Sequence, residues 1–174
     1  HGLVKLQGGV KMSSRKGNIV SALDIIEAAR AAGQESGRAV TEETTLAAIK
    51  YALAKNRIGG DVIYDPKESI ALEGNSGPYL QYAHARAKSI LGKSTMQPAE
   101  LNDLTVDERS LVRKLGEYTN VVNQAASERM PHYICTYLYE LAQKFNSFYE
   151  HNRVIGDERE AVRLTLINRY TTTL

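Results

Sequence analysis

Several residue types are scarce in this sequence, and each scarcity excludes a class of protein. There is no tryptophan, and the single cysteine, Cys135, excludes an internal disulfide. The four histidines are scattered along the chain and give no metal-ligand spacing, so no metal site is predicted. No apolar run is long enough to cross a membrane, and no signal-peptide pattern opens the chain. We therefore expect a protein of the reducing cytoplasm that does not associate with membranes.

The composition and the length are those of an ordinary globular protein. Hydrophobic residues make up 43% and charged residues 24% of the 174 positions, enough for one domain or for one domain with part of another. The formal net charge of +2 is too small to predict nucleic-acid binding, so such a prediction depends on where the charges lie. Because the chain starts at His1 and not at methionine, we expect a fragment of a longer protein.

The pattern of the first 73 residues indicates a small α/β segment. A short strand is predicted over residues 2–6, followed by a basic loop. A helix is predicted next, with Ser21 as its N-cap and Leu23 on its apolar face. Thr41 is the predicted N-cap of a second helix, and residues 61–66 form an extended segment that ends at a proline.

A run with two glycines and a proline, residues 72–78, marks a predicted domain boundary, which divides the chain into residues 1–73 and 74–174. Beyond it, apolar residues recur every three or four positions in four successive stretches, which predicts four amphipathic helices. The short polar connections between them favour an antiparallel bundle. The predicted fold is therefore mainly α, an antiparallel helical bundle preceded by a small α/β segment.

Two helix starts in the bundle are predicted from capping residues. Thr105 and Glu108 have the spacing of a capping box, and an apolar rhythm continues from there without interruption to residue 125. Asp157 and Glu160 have the same spacing and predict a second cap pair at the start of the last helix.

The most distinctive stretch of the sequence is KMSSRKGN, residues 11–18. It places three cations and two hydroxyl groups around one apolar methionine, and its glycine and asparagine tolerate the left-handed backbone of tight loops. Such a loop can close over a polyphosphate and neutralise charge on a leaving group, although short basic clusters are more often solvated turns. The order of its residues resembles the KMSKS loop of class I aminoacyl-tRNA synthetases, in the form found in arginyl-tRNA synthetases.

A second segment carries the same resemblance. The string YAHAR, residues 82–86, follows a Pro-Tyr turn and is similar to the segment by which arginyl-tRNA synthetases enter their helical anticodon-binding domain. On the helix, Tyr79, Gln81 and Tyr82 occupy adjoining positions from which they could brace the bundle against the catalytic domain and the tRNA. Structural support alone is the alternative for each of these residues.

A third segment, residues 141–154, resembles the LA..FN.FY helix of that domain, which is called the DALR domain. Its two phenylalanines continue the apolar stripe of the helix. Asn146, Tyr149 and Arg153 are expected to share another face, away from the phenylalanines, with the Tyr149 ring partly exposed. A ring, an amide and a guanidinium on one face can stack an unpaired base, read its edge and hold a phosphate, and packing at the rim is the alternative.

The resemblance implies roles for individual residues. Lys11 is implied as a catalytic residue, and because the second lysine of the family motif falls at Ser14, Arg15 or Lys16 would supply that charge. The implied ATP-binding residues are Lys11, Met12, Ser13 and Ser14. The implied tRNA-binding residues are Tyr79, Gln81, Tyr82, Arg86, Asn146, Tyr149 and Arg153.

The sequence is therefore interpreted as the C-terminal part of an arginyl-tRNA synthetase. By resemblance, the complete enzyme would be a monomer that attaches arginine to tRNA(Arg) with ATP and Mg²⁺, and its partners would be tRNA(Arg) and the rest of the synthetase. The nucleotide fold with its HIGH motif would precede residue 1, so this chain alone is expected to be inactive and to bind no cofactor. Two alternatives stay open, a class I synthetase of another specificity and a free-standing, non-catalytic tRNA-binding helical module.

Overall fold

The computed structural model describes residues 4–6, 21–37 and 41–174. Two short parallel strands, β1 (Val4–Leu6) and β2 (Val62–Tyr64), pair with Val4 opposite Val62. The rest of the regular structure in these ranges is helical, which confirms the predicted mainly-α fold. The helices are α1 (Ala22–Glu35), α2 (Glu42–Ala54), α3 (Pro66–Ser69), α4 (Gly77–Lys93), α5 (Val106–Gly116), α6 (Tyr118–Glu128), α7 (His132–His151) and α8 (Glu160–Thr173).

The first two helices begin at the predicted capping residues. The Ser21 hydroxyl accepts a hydrogen bond from the backbone N–H of Asp24 at 3.2 Å, and the Asp24 carboxylate accepts one from Ser21 N–H at 2.6 Å. Thr41 and Thr44 form the same reciprocal arrangement at the start of α2. Each box satisfies backbone N–H groups that have no partner within the helix.

The predicted apolar face of α1 is wrong at Leu23, which is 69% exposed. The inward face is centred on the fully buried Ala29, with Ile25 and Ile26 packed beside it. Leu23 precedes Ala29 by six residues, which places it about 120° away round the helix. Because alanine side chains are small, this inward face allows α1 to pack closely on the neighbouring helices α2 and α3.

The core of the bundle is built from apolar side chains of α4, α5, α7 and α8. The predicted stripe of α4 is buried, from Leu80 at its start to Ile90 near its end. At the centre, the Phe145 ring of α7 stacks on the Tyr170 ring of α8, with centroids 4.1 Å apart and planes 13° apart. Both rings are fully buried, so this stacked pair joins the last two helices of the bundle.

The prediction of one uninterrupted helix between residues 105 and 125 is wrong. Helix α5 ends at Gly116, α6 begins at Tyr118, and residues 74–174 therefore hold five helices where four were expected. Glycine is a weak helix former, and the N–H of Glu117 turns back to the carbonyl of Lys114, three residues earlier. Because of this break, Tyr118 does not continue the buried stripe and is 43% exposed.

The predicted cap pair of the last helix is also wrong. Helix α8 has no side-chain cap, and the buried carboxylate of Glu160 instead accepts hydrogen bonds from Gly156 N–H and from the Ser94 hydroxyl. The Asp157 carboxylate accepts from Arg159 N–H at 2.9 Å. The local spacing suggested a reciprocal cap, but the Asp157 carboxylate is bonded to Arg159 N–H, and the Glu160 carboxylate is bonded to Gly156 and to Ser94 in the loop after α4.

The capping box of Thr105 and Glu108 is present, and its carboxylate has a second role in the bundle. The Glu108 side chain is fully buried and accepts from Thr105 N–H at 2.9 Å. It also accepts from Arg159 Nε at 2.9 Å and from Arg163 Nε at 3.0 Å. Burial by itself raises the pKa of this carboxyl group, but the hydrogen bonds from Arg159, Thr105 and Arg163 outweigh it and lower the pKa to about 2.

Arg163 extends this contact to the loop between α7 and α8. Its guanidinium lies 3.1 Å from the Asp157 carboxylate and donates to the backbone carbonyl of Arg153. The start of α5, the start of α8 and the loop before α8 are therefore held by one group of charges around the buried Glu108 carboxylate. We call Glu108, Arg159, Arg163 and Asp157 the Glu108 network.

We expect Glu108→Gln to destabilise the bundle strongly, because it leaves two arginines without the buried charge that pairs them. Removing one partner of a buried ion pair typically costs about 3–5 kcal/mol. The matched control is Glu140→Gln, which removes a half-exposed partner of Lys114 and should cost less than about 1 kcal/mol. Denaturant unfolding gives both values, and equal losses would show that the Glu108 network does not hold the bundle.

The parent protein and the Glu108→Gln variant also give a pH test. The pKa of Glu108 is lowered in the folded state from the ordinary 4.5 to about 2, so its contribution is complete above pH 4.5 and is lost as the pH falls toward 2. The difference in free energy of unfolding between the parent and Glu108→Gln should therefore shrink across that interval. A difference that stays constant from pH 5 to about pH 2 would contradict the assignment.

Candidate nucleic-acid interface

Five side chains from α4 and α7 meet at the surface of the bundle, and we call them the Arg86 cluster. They are Tyr79, Tyr82 and Arg86 from α4, and Asn146 and Tyr149 from α7. Spacings of three and four residues place the members on one side of each helix, so the packing of α4 on α7 brings them together. The structure thus unites five of the seven residues predicted to bind tRNA.

The amide of Asn146 is the centre of the hydrogen bonding in the cluster. Its Oδ1 accepts from Arg86 Nη1 at 3.1 Å, and its Nδ2 donates to the Tyr79 hydroxyl at 2.9 Å. Arg86 Nη2 donates to the Tyr82 hydroxyl at 3.0 Å. Burial raises the pKa of Tyr79, although the hydrogen bond from Asn146 opposes the rise, so this hydroxyl is neutral near pH 7.

Arg86 also lies against two aromatic rings. Its guanidinium carbon is 4.7 Å from the centroid of the Tyr82 ring and 5.7 Å from that of Tyr149, which are cation–π distances. Both tyrosines are large hydrophobic residues with much of their surface in solvent, 47% for Tyr82 and 39% for Tyr149. The cluster therefore presents a cation and two ring systems outward at one place.

The predicted exposure of Tyr149 is confirmed, but its predicted separation from the phenylalanine stripe is wrong. The Tyr149 ring is nearly parallel to the ring of Phe145, at 17°, with centroids 6.3 Å apart. Phe145 and Tyr149 are four residues apart, so they lie one above the other on the same side of α7. Tyr149 is consequently supported by the core through Phe145, while 39% of its surface stays in solvent.

One open groove, of about 880 Å³, runs along α4 beyond the cluster. Its walls include Arg86, Lys93 and Arg153 as cations, with Glu150 as an acidic side chain and Tyr149 as an aromatic one. The balance of charge in this groove is positive. A negatively charged, partly aromatic ligand therefore suits it better than a cation would.

A second open groove, of about 680 Å³, lies on the other side of the cluster, toward the loop before α4. Tyr82, Asn146 and Arg86 line it together with Glu73 and Glu150, so it offers more carboxylate than the first groove. Arg86 and Glu150 line both grooves, which makes the two of them one continuous surface.

The prediction that Arg153 shares a helix face with Asn146 and Tyr149 is wrong. Helix α7 ends at His151, and Asn152 has an extended backbone whose side chain donates to the carbonyl of Phe148. Arg153 therefore lies in the following loop, where its Nε donates to the carbonyl of Ile155 at 3.0 Å. It nevertheless lines the first groove, because the loop folds back beside α7.

Gln81 is the other predicted residue outside the cluster. It is exposed on α4, but it lies about 200° round the helix from Tyr79 and so on a different side. Lys93 and Glu150 line the grooves but were not among the residues predicted to bind tRNA. Lys93 follows Arg86 by seven residues and so lies on the same side of α4. This seven-residue spacing could have predicted Lys93 as part of the same surface.

The predicted catalytic and ATP-binding loop lies outside the residues that the structure describes. This concerns Lys11, Met12, Ser13, Ser14, Arg15 and Lys16. Within the described ranges, no helix is long and apolar enough to cross a membrane. In the same ranges, histidine, cysteine and acidic side chains form no group of three or more that could hold a metal ion.

Comparison with known proteins gives consistent results. Curated arginine–tRNA ligases of Phocaeicola vulgatus and Limosilactobacillus fermentum are 34% and 37% identical, over 94% and 95% of this chain and 30% and 32% of their own length. The structure is similar to that of Thermus thermophilus arginyl-tRNA synthetase, with a TM-score of 0.83 and 30% identity, covering 98% of this chain and 32% of that one. The chain thus spans about a third of the length of the curated relatives it matches.

The resemblance to arginyl-tRNA synthetases seen in the sequence motifs is confirmed by these relatives. The model of one family, described as the DALR anticodon binding domain, matches residues 80–174, which include α7, α8 and all but the start of α4. That match extends over more than half of the sequence. The chain belongs to the DALR anticodon-binding domain family.

Proposed function

We propose that this chain is the C-terminal part of an arginyl-tRNA synthetase and that its bundle, residues 74–174, binds the anticodon arm of tRNA(Arg). Residues 1–73 would belong to the catalytic part of the complete enzyme. The relatives named arginine–tRNA ligase and the match to the DALR domain support this proposal. In the described residues, the single observation that carries it is the Arg86 cluster.

The cluster has the chemistry that unpaired nucleotides require. Bases of single-stranded loops stack on aromatic rings and on guanidinium planes, and their phosphates bind cations. Tyr82 and Tyr149 offer partly exposed rings beside Arg86, and Lys93 and Arg153 line the groove that continues from them. A base stacked on Tyr149 would therefore have cations within the same groove for its phosphate.

Within the cluster, the residues divide into supports and contacts. Both atoms of the Asn146 amide are already bonded, to Arg86 and to Tyr79, so this side chain orients its neighbours. The acidic groups along the grooves, above all Glu150, could accept hydrogen bonds from the amino edge of a base. Gln81 and Tyr79 stay in the proposal as a flanking contact and as a support, respectively.

The basic loop is proposed to act on ATP. In the complete enzyme, Lys11, Met12, Ser13 and Ser14 would bind ATP, which Mg²⁺ accompanies, while arginine and ATP form the adenylate and pyrophosphate. Lys11 with Arg15 or Lys16 would stabilise the charge that develops on the leaving pyrophosphate. The proposed setting is a monomeric enzyme of the cytoplasm, and this chain by itself would be inactive.

The direct test is aminoacylation by the full-length protein that carries this sequence. It should charge tRNA(Arg) with arginine when ATP and Mg²⁺ are present. Lys11→Ala should slow adenylate formation by about 10²-fold or more, with tRNA affinity unchanged, since it removes one preorganised cation. The matched control Lys50→Ala, an exposed lysine on α2, should have the parental rate.

Other outcomes would support the alternatives. Charging of a different tRNA with another amino acid would indicate a class I synthetase of another specificity. Binding of tRNA without charging of any amino acid would indicate a non-catalytic tRNA-binding module. Either result would overturn the proposed reaction.

Tyr149→Ala should weaken binding of tRNA(Arg) by about tenfold or more, because base–aromatic stacking is worth roughly 1–3 kcal/mol. Tyr149→Phe should keep most of the affinity, since the face of the ring makes the contact. The matched control is Tyr118→Ala on α6, a tyrosine that is also partly exposed and also rests on a buried ring, that of Tyr137. Binding and thermal unfolding are measured on the same preparations, and equal affinities for the Tyr149→Ala and Tyr118→Ala proteins would remove Tyr149 from the interface.

A further inference from the structure

The hydroxyl group of Tyr51 joins α2 to helix α7 and to the loop that leads into α4. It donates a hydrogen bond that is shared between Asn75 Oδ1, at 2.6 Å, and the backbone carbonyl of Cys135, at 3.0 Å. Asn75 lies just before α4 and Cys135 lies in the first half of α7. One proton therefore connects the first part of the chain with α7 and with the loop immediately before α4, and these two helices carry the Arg86 cluster.

Other contacts fix the same place. Lys55, one turn after Tyr51, donates to the backbone carbonyl of Asn75 at 2.9 Å and to the Glu68 carboxylate at 2.7 Å. At Gly77 a Cβ atom would lie 3.1 Å from the carbonyl oxygen of Ala47 and 3.1 Å from Tyr51 Cβ. A larger residue would thus push α4 away from α2, so glycine allows this close approach.

A short path of contacts leads from this junction to the cluster. Ser76, next to Asn75, is the N-cap of α4, and its hydroxyl accepts from the backbone N–H of Tyr79 at 3.2 Å. The hydroxyl of Tyr79 accepts from Asn146, whose amide in turn accepts from Arg86. The junction and the cluster therefore share the first turn of α4.

We propose that Tyr51 is a positioning residue, which sets the direction in which RNA bound at the Arg86 cluster is presented to the catalytic part of the protein. Its hydrogen bonds tie the RNA-binding helices to α2, and a small rotation there becomes a large displacement at the far end of a bound tRNA. A displacement of about 1 Å at a reacting group can cost on the order of 10²-fold in rate. This inference rests on the proposed function.

The environment of the hydroxyl suits such a role. Burial raises the pKa of Tyr51, so the group is a neutral donor throughout the physiological range. A hydrogen bond that is shielded from water is also stronger electrostatically than an exposed one. The residue itself does not line either groove beside the cluster, so its loss removes no contact with RNA.

The test uses the full-length protein with Tyr51→Phe, which keeps the ring and removes the hydroxyl. We expect kcat for aminoacylation at saturating tRNA to fall by about fivefold or more, a typical size for coupling between sites. KM for tRNA and directly measured tRNA affinity should stay within about twofold of the parent. The matched control is Tyr133→Phe, which removes a hydroxyl that donates to Glu128 at 2.7 Å and makes no bond to Asn75 or to Cys135, and it should leave kcat unchanged.

Asn75→Ala removes the shared acceptor from the other side of the junction. It should lower kcat by a similar factor, and the double variant with Tyr51→Phe should be no slower than the worse single variant, because both remove one contact. A Tyr51→Phe protein with the parental kcat would overturn the proposal, even if it melted at a lower temperature. So would a loss that appears only in KM or in tRNA affinity.

The two proposals fail in different ways. If the parental protein charges no tRNA, the proposed function is wrong. If the parent charges tRNA(Arg) and Tyr51→Phe matches it in kcat, the proposed function stands and the positioning role of Tyr51 is wrong.

Discussion

Two arginines at the start of α8 enclose the fully buried carboxylate of Glu108, and the arrangement of the last helices depends on this contact. A buried ion pair contributes little net stability compared with apolar packing, because taking the charges out of water is costly. The contact instead favours one alignment of the helices, because misaligned helices would leave those buried charges unpaired. Arg163 also donates to the carbonyl of Arg153, so the same network places the loop that forms one wall of the first groove.

The core and the candidate interface are linked through one stack of aromatic rings. Tyr170 lies against Phe145 in the centre of the bundle, and Phe145 lies against the inner side of Tyr149. The position of the surface ring is therefore set by α8 and α7 together. Tyr149 and Arg86 lose most of their conformational entropy when the protein folds. Preorganised groups of this kind bind a ligand with less further loss of entropy.

The sequence was most informative where structure depends on neighbours along the chain. Ser21, Thr41 and Thr105 cap their helices as predicted because a cap involves residues three positions apart. Asp157 and Glu160 have the same spacing, yet the Glu160 carboxylate accepts a hydrogen bond from Ser94, 66 residues away, and forms no cap with Asp157. Such contacts leave no local pattern, and neither the Glu108 network nor the junction at Tyr51 could be predicted from periodicity.

The candidate interface shows the same division. A spacing of three residues gave Asn146 and Tyr149 on α7, and the family resemblance gave the members on α4. The meeting of Arg86 with Asn146 joins residues 60 positions apart and depends on the tertiary packing of α4 and α7. Arg153 was assigned to the wrong element because the end of α7 is decided by the backbone of Asn152. The geometry of the candidate interface and its charge thus come from different residues. The buried contacts at Tyr51 and Glu108 orient the surface, while exposed cations such as Lys93 give it a salt-dependent attraction for phosphate.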